Sequence, residues 1–526
     1  MPKGYLSIVL HSHLPFVRHP DYPDFMEEDW LFEAITECYL PLIDVFERLS
    51  SENIPFKLTI NVSPPLCEML QDSLLKTRYN VYLNKLIGLS EKEITRTAGT
   101  PFADTARMYR ERFRHIKNIY TKYGEDIISA FRKFQDEGLI EIITCGATHG
   151  FLPLMIKDEA ITAQVQVAVT NYQKHFHRPP QGIWLPECAY KPGVEKALAK
   201  AGIKFFIVDT HGLIYAQPTA PYEANTPVYC NGVYAFGRDQ DASKQVWSAD
   251  EGYPGDTNYR EFYRDLGYDG PYQYIRPYLH SDGVRRNVGI KYHRITGKVK
   301  LNEKEPYNYA NALAKVEANA ADFLLNRQNQ IKYLAEKHNI NPIVVAPYDT
   351  ELFGHWWFEG PEFIYALIKK ISTQSDIGLI TPAEYIKLFP NQPVCEPSMS
   401  TWGDKGYNEV WLNGKNDWVY RHLHQAEDKM VELAATYPKA VSILKEILNQ
   451  MARELLLAQS SDWAFLMTTG HSESYAHNRF KNHIIRFNTL YKQVKSQIID
   501  HDFLQRLRLE DNIFPEIDYR VYVPKQ

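Results

Sequence analysis

The chain has 526 residues, of which 44% are hydrophobic, 23% charged and 13% aromatic, with a formal net charge of −5. That balance supports a sizeable buried core in about three units of 100–200 residues and excludes wholesale disorder. It offers no basic field for a phosphate backbone, and no run of about 20 apolar residues, so neither a nucleic-acid partner nor a membrane span is expected. The opening MPKGYLSIVLHSHLP has one lysine and a short apolar run cut off by His11, so it reads as a first strand over Tyr5–Leu10 and not as a secretory signal. A helical pattern across Trp30–Leu49 leads to a strand at Phe56–Asn61. A long amphipathic stretch, about 101–137, stops at Gly138 before a strand at Ile140–Thr144. Further strands are expected at Gly182–Trp184, Phe205–Val208 and Pro342–Ala346. Several of these runs end in polar or acidic residues: LHSH, TINVS, CGATHG, WLPE and APYDTE. Strand–helix alternation points to a parallel sheet or barrel, where functional groups come from the C-terminal ends of several strands. Those polar ends should therefore converge. Between about 209 and 260 the texture turns to Tyr, Pro, Gly and Asn, which suggests an inserted subdomain. From about 415 helical periodicity dominates, over His422–Tyr437, Lys439–Gln459 and His483–Asp500.

Six scattered cysteines without a C-x-x-C pair read as reduced thiols, so a cytoplasmic location is expected. The 35 Tyr, 25 Phe and 9 Trp can pack a core or wall a sugar cleft, because their flat apolar faces and hydrogen-bonding tips suit both.

Two carboxylates each follow an apolar strand: Glu187 in GIWLPECAY and Asp349 in VVAPYDTELFGHWWFEG. Such a pair can flank a glycosidic bond, one as nucleophile and the other as acid/base, or each can simply cap a helix. His11 and His13 alternate on one strand and face the same side, and His149 in ATHG could join them. Metal ligation is disfavoured, since no HExxH and no i,i+4 histidine pair occurs, and hydrogen bonding to sugar hydroxyls is the better reading. His211 and His355 are similar candidates, with satisfied core histidine as the alternative. Asp462, Trp463, His471, His477 and His483 form a third cluster, whose polar residues suit a cleft between the helical domain and the sheet. Trp402 and Trp411, nine residues apart in a Gly/Asn-rich loop, suit either carbohydrate stacking or interface packing.

The segments LHSHLPF, ATHG, WLPECAY, YDTELFGHWWFEGP and SSDWAFLMTTGHSESYAHNRFKNH, in this order, resemble the five motifs of glycoside hydrolase family 57, in the versions carried by its α-1,4-glucan branching enzymes. The resemblance runs from residue 4 to about 490. It implies an α/β fold: an incomplete (β/α)7 TIM-like barrel with a small inserted domain and a C-terminal α-helical domain. The expected limits are 1–190 and 261–400 for the barrel, 191–260 for the insertion and 401–526 for the helical domain. It implies Glu187 as nucleophile and Asp349 as proton donor of a retaining mechanism without cofactor or metal. His11, His13, Trp30, His149, Arg260, His355, Trp402, Trp411, Asp462 and His471 are implied as glucan contacts. The expected substrate is an α-1,4-glucan such as glycogen, amylose or starch. These relatives carry a mobile loop whose tyrosine covers the site, and Tyr222, Tyr229 and Tyr234 are the candidates here. The alternatives are an α-amylase or 4-α-glucanotransferase on the same scaffold, a non-catalytic glucan-binding protein, and a metal-dependent polysaccharide deacetylase, whose activity a chelator would abolish.

Overall fold

The computed structural model describes residues 2–248, 251–374 and 376–524. The first sheet is built on β1 (Tyr5–Ser12), in which all eight residues are buried. A strand apolar on both faces is what a parallel sheet covered on both sides requires. β2 (Leu58–Val62) and β3 (Ile140–Ile143) follow on one side of it, each parallel to its neighbour. β4 (Gly182–Ile183), β5 (Phe205–Val208), β6 (Val228–Cys230) and β7 (Val233–Gly237) form a second sheet in the order β4-β5-β7-β6, with β6 alone antiparallel. β8 (Ile343–Asp349) pairs with β1 from Tyr5↔Ile343 to His11↔Asp349, and β9 (Gly378–Leu379) pairs with Tyr5 and Leu6 of β1.

Two isolated parallel bridges join the sheets. Trp184 N donates to Thr144 O at 2.8 Å beside β3, and Asp239 N donates to Val345 O at 2.8 Å beside β8. All six strands expected from the sequence are present, shifted by a residue or three at their ends. The segment 191–260 contributes β5, β6 and β7 to the second sheet, where β7 lies between β5 and β6. The β6–β7 hairpin and the two-residue β9 went unforeseen, because runs this short carry no readable period.

Helices cover the strands. Ser73–Arg96 is N-capped by Asp72, which accepts from Leu75 N at 3.0 Å. The 30-residue Tyr309–His338 leads directly into β8 and packs on Gly360–Gln374. The C-terminal part is helical as expected: Trp418–Thr436, Ser442–Ala458, Ser461–Thr469, Glu473–Ser496 and His501–Glu510. Ser442–Ala458 has eleven buried residues in a continuous run with one interruption, so it is the central helix of this unit. The expected helix to Asp500 stops at Ser496, because Gln497 takes a left-handed φ of 60°. Asp500 instead caps the next helix through Phe503 N.

Candidate active site

The polar strand ends do converge. Asp349 is the last residue of β8, in register with His11 on β1, which is in register with Asn61 on β2. Glu187 follows β4 in a turn whose Glu187 and Cys188 have φ of 62° and 51°. Two successive non-glycine residues in the left-handed region are costly, of order 1–3 kcal/mol each, and such strain concentrates at sites where it aims a side chain.

Glu187 is held on both oxygens. Trp402 Nε1 donates to Oε2 at 3.0 Å and Ser461 Oγ reaches Oε1 at 2.7 Å, while Trp402 N donates to Glu187 O at 3.1 Å. Burial pushes the Glu187 carboxyl up, and these two donors pull it part of the way back. Ser461 also begins the helix Ser461–Thr469, whose positive end therefore faces the carboxylate. Asp349 lies in a different environment. Burial first, and the negative Glu187 second, raise its pKa to about 7. Burial raises both acids, but Glu187 has two donors that favour its anion whereas Asp349 has a negative neighbour that favours its protonated form, and such a difference within one cleft is the pattern of a nucleophile and a proton donor.

The histidines form one chain. His11 donates from Nδ1 to Asn61 Oδ1 at 2.6 Å, the amide orientation being fixed by Asn61 Nδ2 donating to Ile143 O. His11 Nε2 lies 3.0 Å from His149 Nε2, and His149 Nδ1 lies 2.7 Å from Ser461 Oγ. Burial holds both imidazoles well below their ordinary pKa. Proton counting then links the chain to Glu187. When Ser461 gives its single hydrogen to Glu187, His149 must donate from Nδ1, and the His11–His149 contact needs one proton more than two neutral rings carry. His13 stacks on His149 at 3.8 Å and contacts Ser63 Oγ (2.9 Å) and Asp462 Oδ2 (3.0 Å). His11, Cys145 and His149, and separately His13, His149 and Asp462, bring ligand-type atoms within 4.8 Å of one another and could accept a cation.

Replacing Ser461 by Ala removes one of the two donors to Glu187. The acidic limb of activity is expected to move to higher pH, with kcat down about tenfold or more at pH 5 and less at pH 7. A pH–rate profile with the limb unmoved would contradict this role.

Other expected contacts are placed differently. Trp30 is half-buried, its ring edge-on to Tyr475 at 6.0 Å. Arg260 is 3% exposed; its guanidinium lies over Phe358 at 4.3 Å and donates to His355 O at 3.1 Å. It thereby braces the segment after Asp349. His355 Nδ1 pairs with Glu37 Oε2 at 2.6 Å, a contact made possible by Gly354, where a Cβ would lie 1.8 Å from Glu37 O. Trp411 is 1% exposed and stacked on Phe151 at 4.7 Å, so it is interface core. His471 is exposed in the turn after Ser461–Thr469, about 13 Å of helix away from the end that touches Glu187. Tyr222, Tyr229 and Tyr234 all lie at the opposite end of the strands from Asp349. Tyr234 pairs with Phe205 at the start of β5, Tyr229 packs on Tyr234 at 5.0 Å, and Tyr222 packs at 5.7 Å on His338, just ahead of β8. None of the three covers Glu187 or Asp349.

The structure adds Asn61, Ser63, Trp184 and Ser461 to the site. Trp184 stacks on His11 at 5.0 Å and meets Trp402 at a tilt, with 4.9 Å between ring centroids. A polar residue closing an apolar strand, as in TINVS, was the available signal for Asn61 and Ser63; Ser461 had none of its own.

The chain is 35% identical over 99% of its length to a 1,4-alpha-glucan branching enzyme of Thermococcus kodakarensis, covering 79% of that protein. Among solved structures it superposes on the alpha-amylase AmyC of Thermotoga maritima with a TM-score of 0.94 at 44% identity, covering 100% of both chains. It superposes on the branching enzyme of Pyrococcus horikoshii with a TM-score of 0.89 at 33% identity, covering 100% of this chain and 97% of that one. The family model "1,4-alpha-glucan branching enzyme, C-terminal" matches residues 422–522. The model of glycosyl hydrolase family 57 matches residues 7–398, which include Glu187 and Asp349, and the chain belongs to that family.

Proposed function

We propose that this protein is a 1,4-α-glucan branching enzyme working by retaining double displacement. The observation that carries the reading is the asymmetric pair: Glu187 fixed by two donors, and Asp349 protonated up to a pKa of about 7. Asp349 gives its proton to the leaving glycosidic oxygen as Glu187 attacks the anomeric carbon, and a glycosyl-enzyme ester forms. Asp349, now a carboxylate, takes the proton from the 6-hydroxyl of a second glucan chain, whose oxygen displaces Glu187 and closes an α-1,6 bond. His11, His13, Asp462 and Trp402 surround the pair and are the side chains we assign to glucan hydroxyls and ring faces, with Trp30 further along the cleft. Arg260 and His355 act through the segment that carries Asp349. Glycogen, amylose or starch would be the polymer, in a cytoplasmic setting of glycogen synthesis. The bridges Thr144–Ile183 and Arg238–Val345 support reading β1 to β5, β7 and β8 as a seven-stranded (β/α) barrel over about residues 1–400. β5 and β7 favour counting 191–260 with that barrel, and 401–526 is then the helical domain that lends Ser461 and Asp462 to the site.

Hydrolysis is the second reading, favoured by two observations. No candidate tyrosine lies over the pair to exclude water, and the likeness to an alpha-amylase is 44%. Incubation with amylose separates the readings: new α-1,6 linkages in the proton NMR spectrum are expected. Reducing ends that accumulate without branches would make the protein an amylase.

A further inference from the structure

His211 stands in the helical turn Thr210–Ile214 directly after β5 and takes no part in the steps above. Its Nδ1 lies 3.0 Å from Asp209 Oδ1 and its Nε2 lies 2.7 Å from Gly406 O. A carboxylate and a carbonyl can only accept, and a neutral imidazole has one N–H, so it can make one of these bonds while the other becomes lone pair against lone pair. Both bonds exist together only for the imidazolium.

The surroundings favour that form. Arg238, at the end of β7, donates from Nη1 to the second oxygen of Asp209 at 3.2 Å and from Nε to Ser243 Oγ at 2.9 Å. Burial alone would raise the Asp209 carboxyl, but His211 and Arg238 bring it below the usual range, so it is an anion. Asp209 in turn holds His211 above its ordinary value. From the loop side the ring meets Tyr407 edge-on at 5.3 Å, and the loop's own charges, Asp404 and Lys405, are exposed.

What His211 grips is the loop of the nucleophile's donor. Gly406 O also accepts from Thr401 N at 2.8 Å, and Thr401 Oγ1 donates to Tyr407 O at 2.6 Å, so residues 401–407 form one closed loop with Trp402 in it. Gly406 has φ of 80°, and a Cβ there would lie 2.8 Å from His211 Cε1. The loop and the ring are therefore in direct contact, and Trp402 leaves that loop to bond both the backbone and the carboxylate of Glu187.

We propose that His211 is a positioning residue for catalysis: as an imidazolium it latches the 401–407 loop to the end of β5 and so fixes Trp402 against Glu187, and the latch opens when the ring loses its proton. The inference rests on the glucan-cleaving reading of Glu187 and Asp349. It makes a second proton, besides that of Asp349, necessary for full activity.

The test compares wild type with His211→Gln on amylose at about pH 6 and about pH 9, together with 15N spectra of the histidine side chains. Gln can donate to one acceptor only. The wild-type kcat is expected to exceed the variant's by about tenfold at the lower pH, with KM within about twofold, and the ratio is expected to close toward one at the higher pH. Loss of the Asp349 proton affects both proteins equally and cancels in the ratio. The resonance missing in the variant should show two protonated nitrogens in wild type at about pH 6.5. A ratio that does not change with pH, or an unprotonated nitrogen on His211 at that pH, would overturn the proposal. If His211→Gln does not fold, Asp209→Asn keeps the ring and removes its anion; the His211 titration must then fall by about one pH unit or more, and an unmoved titration is equally fatal. A protein that leaves amylose untouched would fail the functional reading, while the nitrogen spectra would still decide the protonation of His211.

Discussion

Replacement of Glu187 by Gln is expected to lower the rate on amylose by about four orders of magnitude or more, with the folded structure intact. The amide oxygen can take the Trp402 indole N–H, and the amide nitrogen can donate to Ser461 Oγ, which then turns its own hydrogen to His149 Nδ1. That arrangement removes the extra proton demanded by the His11–His149 contact and leaves one amide hydrogen without a partner, so the melting temperature should stay close to that of wild type. What is lost is the nucleophile: an amide oxygen does not form the glycosyl ester. Reducing-end and branch-linkage assays on the same sample measure both outcomes of the first step. Retention of more than about a tenth of the activity would mean that another group attacks the anomeric carbon.

Asp349→Asn is expected to cost about 10²- to 10⁴-fold on amylose, and the loss should depend on the leaving group. A buried amide cannot protonate the glycosidic oxygen, but a glucosyl fluoride or aryl glucoside needs little protonation to leave. With such a substrate the first step should recover and the second should become limiting, with external azide restoring turnover. Wild-type kcat should fall as pH rises through about 7, where Asp349 loses its proton, and the variant should lack that limb. The stability sign follows from the same shift. Between the unfolded value near 4 and about 7 the folded protein holds a proton that the unfolded chain has released, so this residue's contribution falls as pH rises. Above pH 7 the Asn variant should therefore melt at a higher temperature than wild type. A variant with unchanged leaving-group dependence would assign the proton to some other acid, of which Glu351, buried beside Tyr39 with its pKa raised to about 8, is the nearest in sequence.

The amino-acid sequence by itself determined the strands, the helical C-terminal part and the place of two acids at strand ends, and the reason is local. Tyr5–Leu10, Phe205–Val208 and Pro342–Ala346 are apolar runs flanked by breakers, and an acid placed directly after such a run has few places to go except the mouth of the sheet. Residue types alone could not say which neighbours meet the acids, because those contacts span hundreds of residues. Ser461 reaches Glu187 across 274 positions and Trp402 across 215. The same limit applies to the other expected contacts. Trp411 and Arg260 have the chemistry of glucan ligands, and only packing showed one stacked on Phe151 and the other enclosed over Phe358. His471 shares a motif with Asp462 but lies at the other end of a nine-residue helix. The β6–β7 hairpin inside the tyrosine-rich segment was likewise out of reach, since a hairpin of three- and five-residue strands has no period to detect and is stabilised by pairing with β5. Tertiary structure also decided protonation. Asp349 near 7, the lowered pKa of His11 and His149, and the two acceptors that face His211 all follow from burial and from which atoms face them, and neither burial nor facing atoms is written in the order of the residues.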